Sequence, residues 1–328
     1  MISIEDFYAL NMIKGLGPAK LKGLSNTYDD INDITTAKEK ELGKIIKGPG
    51  KDKIIFEIKN EFELYREKAE YELREFEENE LRVISQWDEE YPNSLKVIKK
   101  PPTFLFCRGN IKLLKEERSI AVIGTRNPTD GGYNIGYSTA KYFSSKDYNI
   151  VSGLALGIDT SAHIAAIDLK NKTTAVLVTI DNIYPKENQD LADTIIENGG
   201  LLLAENKPGT PIQGPLFVER DRLQSALSKA VFPIETDIKG GTLHTVRFAE
   251  TQKKKVYCPR LKEERLYKSH IGNPMSKGID MLLNSNRAIP YNLSDLEEVF
   301  TKVEQLKIKG DINNLKITSN VIQESFAF

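Results

Sequence analysis

The stretch VSGLALGIDTSAH, residues 151–163, carries the reading of the fold. An apolar pair leads into Ser152-Gly153, Gly157 follows four residues later, and Asp159, Thr160, Ser161 and His163 come next. This is the order of a strand that stops at a small-residue turn and opens a helix. Amides at such a helix start point towards an anion. Asp159 would repel a phosphate there and suits a helix cap or a partner that orients a neighbour. His163 is one of 3 histidines and has no cysteine or second histidine at ligand spacing, so it reads as a structural hydrogen-bonding residue.

Working outward, the same grammar repeats. The runs SIAVIG, YNIVSG, TTAVLVT, GLLLAE, KAVFPIE and KKVYCP are apolar, bounded by glycine, proline or polar turns, with helical stretches between most of them. Strands alternating with helices predict an α/β fold: an extended Rossmann-like, mostly parallel sheet with helices on both faces. Upstream, residues 1–84 read as a small, charged, all-helical domain. In it, residues 51–82 are expected to form one long helix with Ile54, Ile55, Ile58, Phe62 and Tyr65 on its buried face. Pro101-Pro102 forbids helix, and TFLFCRGN reads as a short strand. The sheet domain is placed at 85–305, and 306–328 is expected to be a short tail with no room for a winged helix.

Ligands of such sheets bind outside the carboxyl ends of the strands, and there the sequence places its chemistry. Gly124-Thr125-Arg126 offers a turn, a hydroxyl and a planar fork of donors suited to phosphate. It is neither a dinucleotide fingerprint nor a P-loop, because the glycine spacing is wrong and no Gly-Lys-Ser/Thr follows. Ser152, Gly153 and Gly157 form the second turn. Tyr184-Pro185-Lys186 forms the third. Arg220 and Arg222 flank Asp221 and read equally as a phosphate clamp or an ion-pair cluster. Gly240-Gly241-Thr242, followed by His244, suggests an amide-rich nest at a helix start. Together the five turns predict a phosphate-lined pocket.

Composition sets the bounds. The chain has 328 residues and a formal net charge of -1, so no global basic field advertises nucleic acid and any such binding needs a local patch. Cys107 and Cys258 form no CxxC pair, which fits neither a zinc motif nor a disulfide framework. No leader pattern opens the chain, and no apolar run approaches the ~20 residues that span a bilayer. A cytoplasmic protein without membrane attachment is expected, with no metal and no cofactor.

These motifs resemble the DprA/Smf family of DNA-processing proteins over about residues 5–300. The residues that match are Gly124-Thr125-Arg126, the run Ser152 to His163, Ala175 to Leu191, Phe217 to Arg222, Glu235 to Val246, and the leader Tyr91 to Asn110. The resemblance implies a dimer that binds single-stranded DNA, helps load the RecA recombinase and needs no catalytic residue. It puts Arg126 and Lys186 on phosphate, with Arg220 and Arg222 as further contacts. The chain departs from the family pattern at Asp221, where an asparagine is usual, at Ala204 and Gly240, where serines are usual, and in VTIDN, which lacks glycines. Tyr133 and Phe217 are candidate stacking aromatics. GLGPAKLKGL, residues 15–24, is similar to a helix-hairpin-helix-like module and reads either as a DNA-backbone contact or as a brace.

An alternative is a nucleotide sensor, or an enzyme like the nucleoside-monophosphate phosphoribohydrolases, using the same pocket. KGGTLHTVRFAE, residues 239–250, resembles their loop, although His244 replaces a glycine and Glu250 stands too far along.

Overall fold

Each of the seven apolar runs read as a strand forms one, and with two further strands they build a nine-stranded sheet. The computed structural model describes residues 2–308. The tail expected at 306–328, with its missing winged helix, therefore lies almost wholly outside the described residues.

The chain opens with α1 (Ile4–Met12), α2 (Pro18–Ser25), α3 (Ile31–Thr36), α4 (Glu39–Ile45), α5 (Lys51–Asn60) and α6 (Phe62–Glu78). β1 (Leu81–Ser85), α7 (Asn93–Lys96) and β2 (Phe104–Gly109) follow. The alternating part runs β3 (Ser119–Ile123), α8 (Asp130–Ser145), β4 (Asn149–Ser152), α9 (Ile158–Ile167), β5 (Thr173–Leu177), α10 (Gln189–Glu197) and β6 (Leu201–Ala204). It continues with α11 (Gly214–Ala226), β7 (Ala230–Pro233), α12 (Thr242–Thr251), β8 (Lys255–Pro259), α13 (Lys277–Asn284), β9 (Ile289–Tyr291) and α14 (Leu296–Glu304).

The strand order is β1-β2-β6-β5-β4-β3-β7-β8-β9. β1 and β2 are antiparallel to their neighbours, and the rest of the sheet is parallel. The central strands are continuously apolar because both of their faces are covered. In β6, Leu201 and Leu203 enter one hydrophobic cluster while Leu202 and Ala204 enter the other, as the two-residue period of a strand requires.

Three expectations change. The single helix over 51–82 is two helices that break at Glu61, whose φ of -123° and ψ of 4° leave the helical region. The break lets α5 pack on α3 and α4 while α6 lies along α1, so Ile54, Ile58 and Phe62 are all buried without sharing one straight face. The boundary drawn at residue 84 falls inside β1, which hydrogen-bonds across to β2. Its alternation was hidden behind the charged helix that precedes it. The N-terminal helices also share a core with the sheet: Phe7, Leu10 and Ile58 belong to the same cluster as Phe104, Phe106 and Leu202. Phe7 stacks on Trp87 with ring centres 3.8 Å apart, and the indole N–H donates to Ser25 Oγ at 2.8 Å.

The hairpin over 15–24 packs its apolar residues into the core. Leu16 and Leu21 are buried, and Lys20 Nζ donates to the Gly15 carbonyl at 2.8 Å. Cys107 and Cys258 are both buried free thiols, and burial pushes both far above the ordinary thiol range. Among the described residues no helix is long and apolar enough to cross a membrane.

Candidate functional site

β4, β5 and β6 lie on one side of β3, and β7, β8 and β9 lie on the other. The helices leaving β3 and β7 therefore diverge and open a crevice between the carboxyl ends of these two strands, the topological switch point. A cavity of about 390 Å³ fills it. The β3 turn contributes Gly124, Thr125 and Arg126 to the wall. The β7 turn contributes Gly240, Gly241 and Thr242, with His244 one turn further on. Helix α11 crosses beneath and contributes Phe217, Arg220 and Asp221.

The mouth is cationic and aromatic. Arg126 is exposed, and its guanidinium lies 5.3 Å from the centre of the Phe217 ring. On the other side Phe217 packs against Tyr184 at 5.6 Å. Tyr184 is 48% exposed, so the ring is available to a ligand as well as to Phe217. Lys186, exposed and two residues beyond Tyr184, does not line the cavity. Sequence reading singled out Phe217 but gave Tyr184 only a turn-forming role. An aromatic next to a lysine at a strand end was the available signal. Tyr133, on α8, does not line the cavity; the groups near it are Asp168, at the end of α9, and Tyr137.

The interior is built differently. Arg220 is buried; its Nη2 donates to the Gly153 carbonyl at 2.9 Å and its Nη1 lies 3.3 Å from Asp221 Oδ1. Its Nε has no partner, although the side chain is only 7% exposed. Gly153 is required by this approach, because a Cβ there would stand 1.9 Å from Arg220 Nη1. Gly153→Ala is expected to lower the unfolding free energy by about 1–3 kcal/mol, read by urea denaturation.

The turn that opened the sequence reading does hold an anion, and the anion is the protein's own. Asp159 is buried, and its Oδ2 accepts from the Gly153 amide at 3.1 Å and, more weakly, from Ala155 at 3.4 Å. Burial raises its carboxyl above the ordinary range, against the pull of Arg220 and these amides. Ser152 is fully buried and donates to the Val122 carbonyl at 2.6 Å, so it is not free for phosphate. Gly157 takes a φ of +83° at the start of α9, where the Ile158 amide is bonded to the Thr125 carbonyl. Arg222 is also withdrawn from the cavity: its donors go to the Lys100 and Glu219 carbonyls and to Glu205 at 2.5 Å. Ser152, Gly157 and Arg222 support the site from behind, while Asp159 reaches its wall.

Asp221 lies at the cavity wall with its side chain 15% exposed. Burial pushes its carboxyl up to about 6, reinforced by Asp159 and opposed by Arg220, Thr245 and Arg126. His163 is fully buried, and burial lowers its pKa to about 3, helped by Arg220. Its Nδ1 lies 2.7 Å from Thr173 Oγ1, whose proton goes to the Ile150 carbonyl. The imidazole must therefore donate from Nδ1, which is the structural role read from the sequence.

Glu235 was missed as a support. Fully buried after β7, it accepts from the Thr129 amide at 2.8 Å, from Thr129 Oγ1 at 3.0 Å and from the Tyr267 hydroxyl at 2.5 Å, fixing the entry to α8. Glu250, the acid considered for an enzyme, is instead held by Arg287 at 2.6 and 2.9 Å and does not line the cavity.

The family described as DNA recombination-mediator protein A matches residues 82–303. DNA processing protein DprA of Bacillus subtilis is 37% identical over 202 residues, which is 61% of this chain and 68% of the relative. Protein Smf of Synechocystis is 30% identical over 307 residues, 88% of this chain and 75% of the relative. Among solved structures, DNA processing protein A of Streptococcus pneumoniae gives a TM-score of 0.72 at 25% identity, over 91% of this chain and 98% of that one. DNA processing protein A of Helicobacter pylori, described for its single-stranded DNA binding mode, gives 0.59 at 27% identity, over 68% and 96%.

Proposed function

The chain belongs to the DNA recombination-mediator protein A family, and from that premise we propose that it binds single-stranded DNA along the carboxyl edge of its sheet and carries out no chemistry on it. The observation that carries this reading is the row Arg126–Phe217–Tyr184, with Lys186 exposed two residues further along the chain. Cations spaced among aromatic rings suit a strand whose phosphates are neutralised while its bases stack, with little choice of sequence. The similarity to the Helicobacter pylori protein supports the same ligand.

The proposal extends to RecA loading on the bound strand and to a homodimer in the cytoplasm as the working unit, in recombination or natural transformation. Both rest on the family resemblance. RecA filament growth on strands precoated with single-strand-binding protein would test the first, and sedimentation at micromolar protein would test the second.

The direct test is fluorescence anisotropy of labelled oligo-dT at two salt concentrations. Arg126→Ala and Lys186→Ala are each expected to weaken binding roughly tenfold, as charged hydrogen bonds do. Each should also reduce the salt slope by about 0.7 for one lost phosphate contact. Binding unchanged in both variants would remove the strand from this edge.

A further inference from the structure

Arg126 is carried by the loop 125–129, and both ends of that loop are tied to Glu235, which follows the neighbouring strand β7. The Glu235 backbone carbonyl accepts from the Thr125 amide at 2.8 Å. Its carboxylate accepts from the Thr129 amide at 2.8 Å and from Thr129 Oγ1 at 3.0 Å. Glu235 is fully buried and does not line the cavity, so it reaches no ligand itself. The sequence makes room for it: a Cβ on Gly132 would stand 2.0 Å from Glu235 Oε2. The Tyr267 hydroxyl donates to the same carboxylate at 2.5 Å, and burial together with Glu235 holds that hydroxyl well above its ordinary range, so it stays a donor. Beneath the loop, the Thr125 and Arg126 carbonyls lie 2.5 and 2.8 Å from where a Cβ on Gly157 would stand.

We propose that Glu235 is the positioning residue for Arg126, fixing the loop so that the guanidinium is in place over Phe217 before a strand arrives. The proposal rests on the single-stranded DNA reading above, in which Arg126 meets a phosphate. A long side chain on an unfixed loop loses freedom on binding, and a contact organised beforehand is stronger by that amount. The loop has little else to hold its shape from within. The Asn127 amide reaches Thr125 Oγ1 at 3.3 Å, a local contact that travels with the loop. Thr129 Oγ1 also caps α8 by accepting from the Gly132 amide at 2.9 Å. Without the carboxylate, the Thr129 amide and hydroxyl both lose their acceptor, and the end of the loop is freed where it enters α8.

The test is a double-mutant cycle read on labelled oligo-dT. Glu235→Ala alone is expected to weaken binding about fivefold and to lower the salt slope towards that of Arg126→Ala. In an Arg126→Ala background the same change should weaken binding by less than about twofold, because the contact it organises is gone. Val303→Ala separates this from lost stability. Val303 is buried in α14, whose Glu304 carbonyl accepts from Lys229 at the amino end of β7, and its truncation should leave affinity and salt slope as in wild type. A loss that persists undiminished in the Arg126→Ala background, or wild-type affinity in Glu235→Ala, would overturn the positioning role and leave strand binding standing. Wild-type affinity in Arg126→Ala itself would overturn the strand contact and the positioning role together. Thr129→Val removes the hydroxyl donor and keeps the amide. It carries the cycle if Glu235→Ala does not fold, with an expected loss of about threefold that likewise disappears without Arg126.

Discussion

Arg220→Ala is expected to lower the unfolding free energy by about 3–5 kcal/mol, the cost of leaving buried charges without their partner. Arg220 stands between two carboxylates: Asp221 is 3.3 Å away, and Asp159 feels its charge strongly enough to be pulled towards ionisation. Removing the guanidinium strands both acids and leaves the Gly153 carbonyl without its donor. Urea denaturation of the variant beside Arg126→Ala separates support from contact. Arg126 is exposed, so its removal should change stability by under about 0.5 kcal/mol. A stable Arg220→Ala protein that had lost oligo-dT binding would return Arg220 to the role of a phosphate clamp.

Asp221→Asn is expected to act in the opposite direction, raising stability at pH 7.5 by about 2–3 kcal/mol. Burial carries the Asp221 carboxyl from 3.8 up to about 6, and each pKa unit corresponds to about 1.4 kcal/mol. A carboxyl whose folded pKa exceeds its unfolded value binds more protons in the folded state between the two. Its contribution to stability is greatest below 3.8 and is lost as pH rises through about 6. The gain from Asp221→Asn should therefore be full above pH 7 and vanish below about pH 4. Denaturation of both proteins at pH 4 and pH 7.5 measures it; an equal difference at the two pH values would show that the Asp221 carboxyl is not strained.

The same charge bears on the ligand. Arg220, Asp159, Thr245 and Arg126 surround Asp221, and Asp237 and His244 share the cavity. Neutralising Asp221 removes the negative charge nearest the phosphate contact proposed for Arg126. Oligo-dT binding by wild type should strengthen as pH falls through about 6, and Asp221→Asn should bind more tightly than wild type at neutral pH while losing that part of the pH dependence. The difference between variant and wild type across pH isolates Asp221.

Strand identity was legible because parallel strands covered on both faces must be apolar throughout, and SIAVIG, TTAVLVT and GLLLAE announce that burial without help from distant residues. The switch-point cavity was half legible: Gly124-Thr125-Arg126 and Gly240-Gly241-Thr242 sit at strand ends in any such fold, and the structure brings them to one wall. β1 was not legible, since LRVIS gains its meaning from pairing with β2 and follows a helix of similar charge. The packing of the N-terminal helices on the sheet was hidden for the same reason, because an amphipathic helix declares that it has a buried face and not what covers it.

By itself the sequence determined the α/β class, the strands of the parallel sheet and the edge where ligand chemistry gathers, because side-chain periodicity and turn residues are local properties. Only the tertiary structure decided which arginine is exposed at that edge and which is buried. Arg126 and Arg220 carry the same group at the same edge, yet one lies over an exposed aromatic row and the other is sealed between two carboxylates. The difference lies in burial and in a partner 67 residues away in the chain, the Gly153 carbonyl, which joins the adjacent Asp221; burial and that distant contact are set by how the sheet closes on α11.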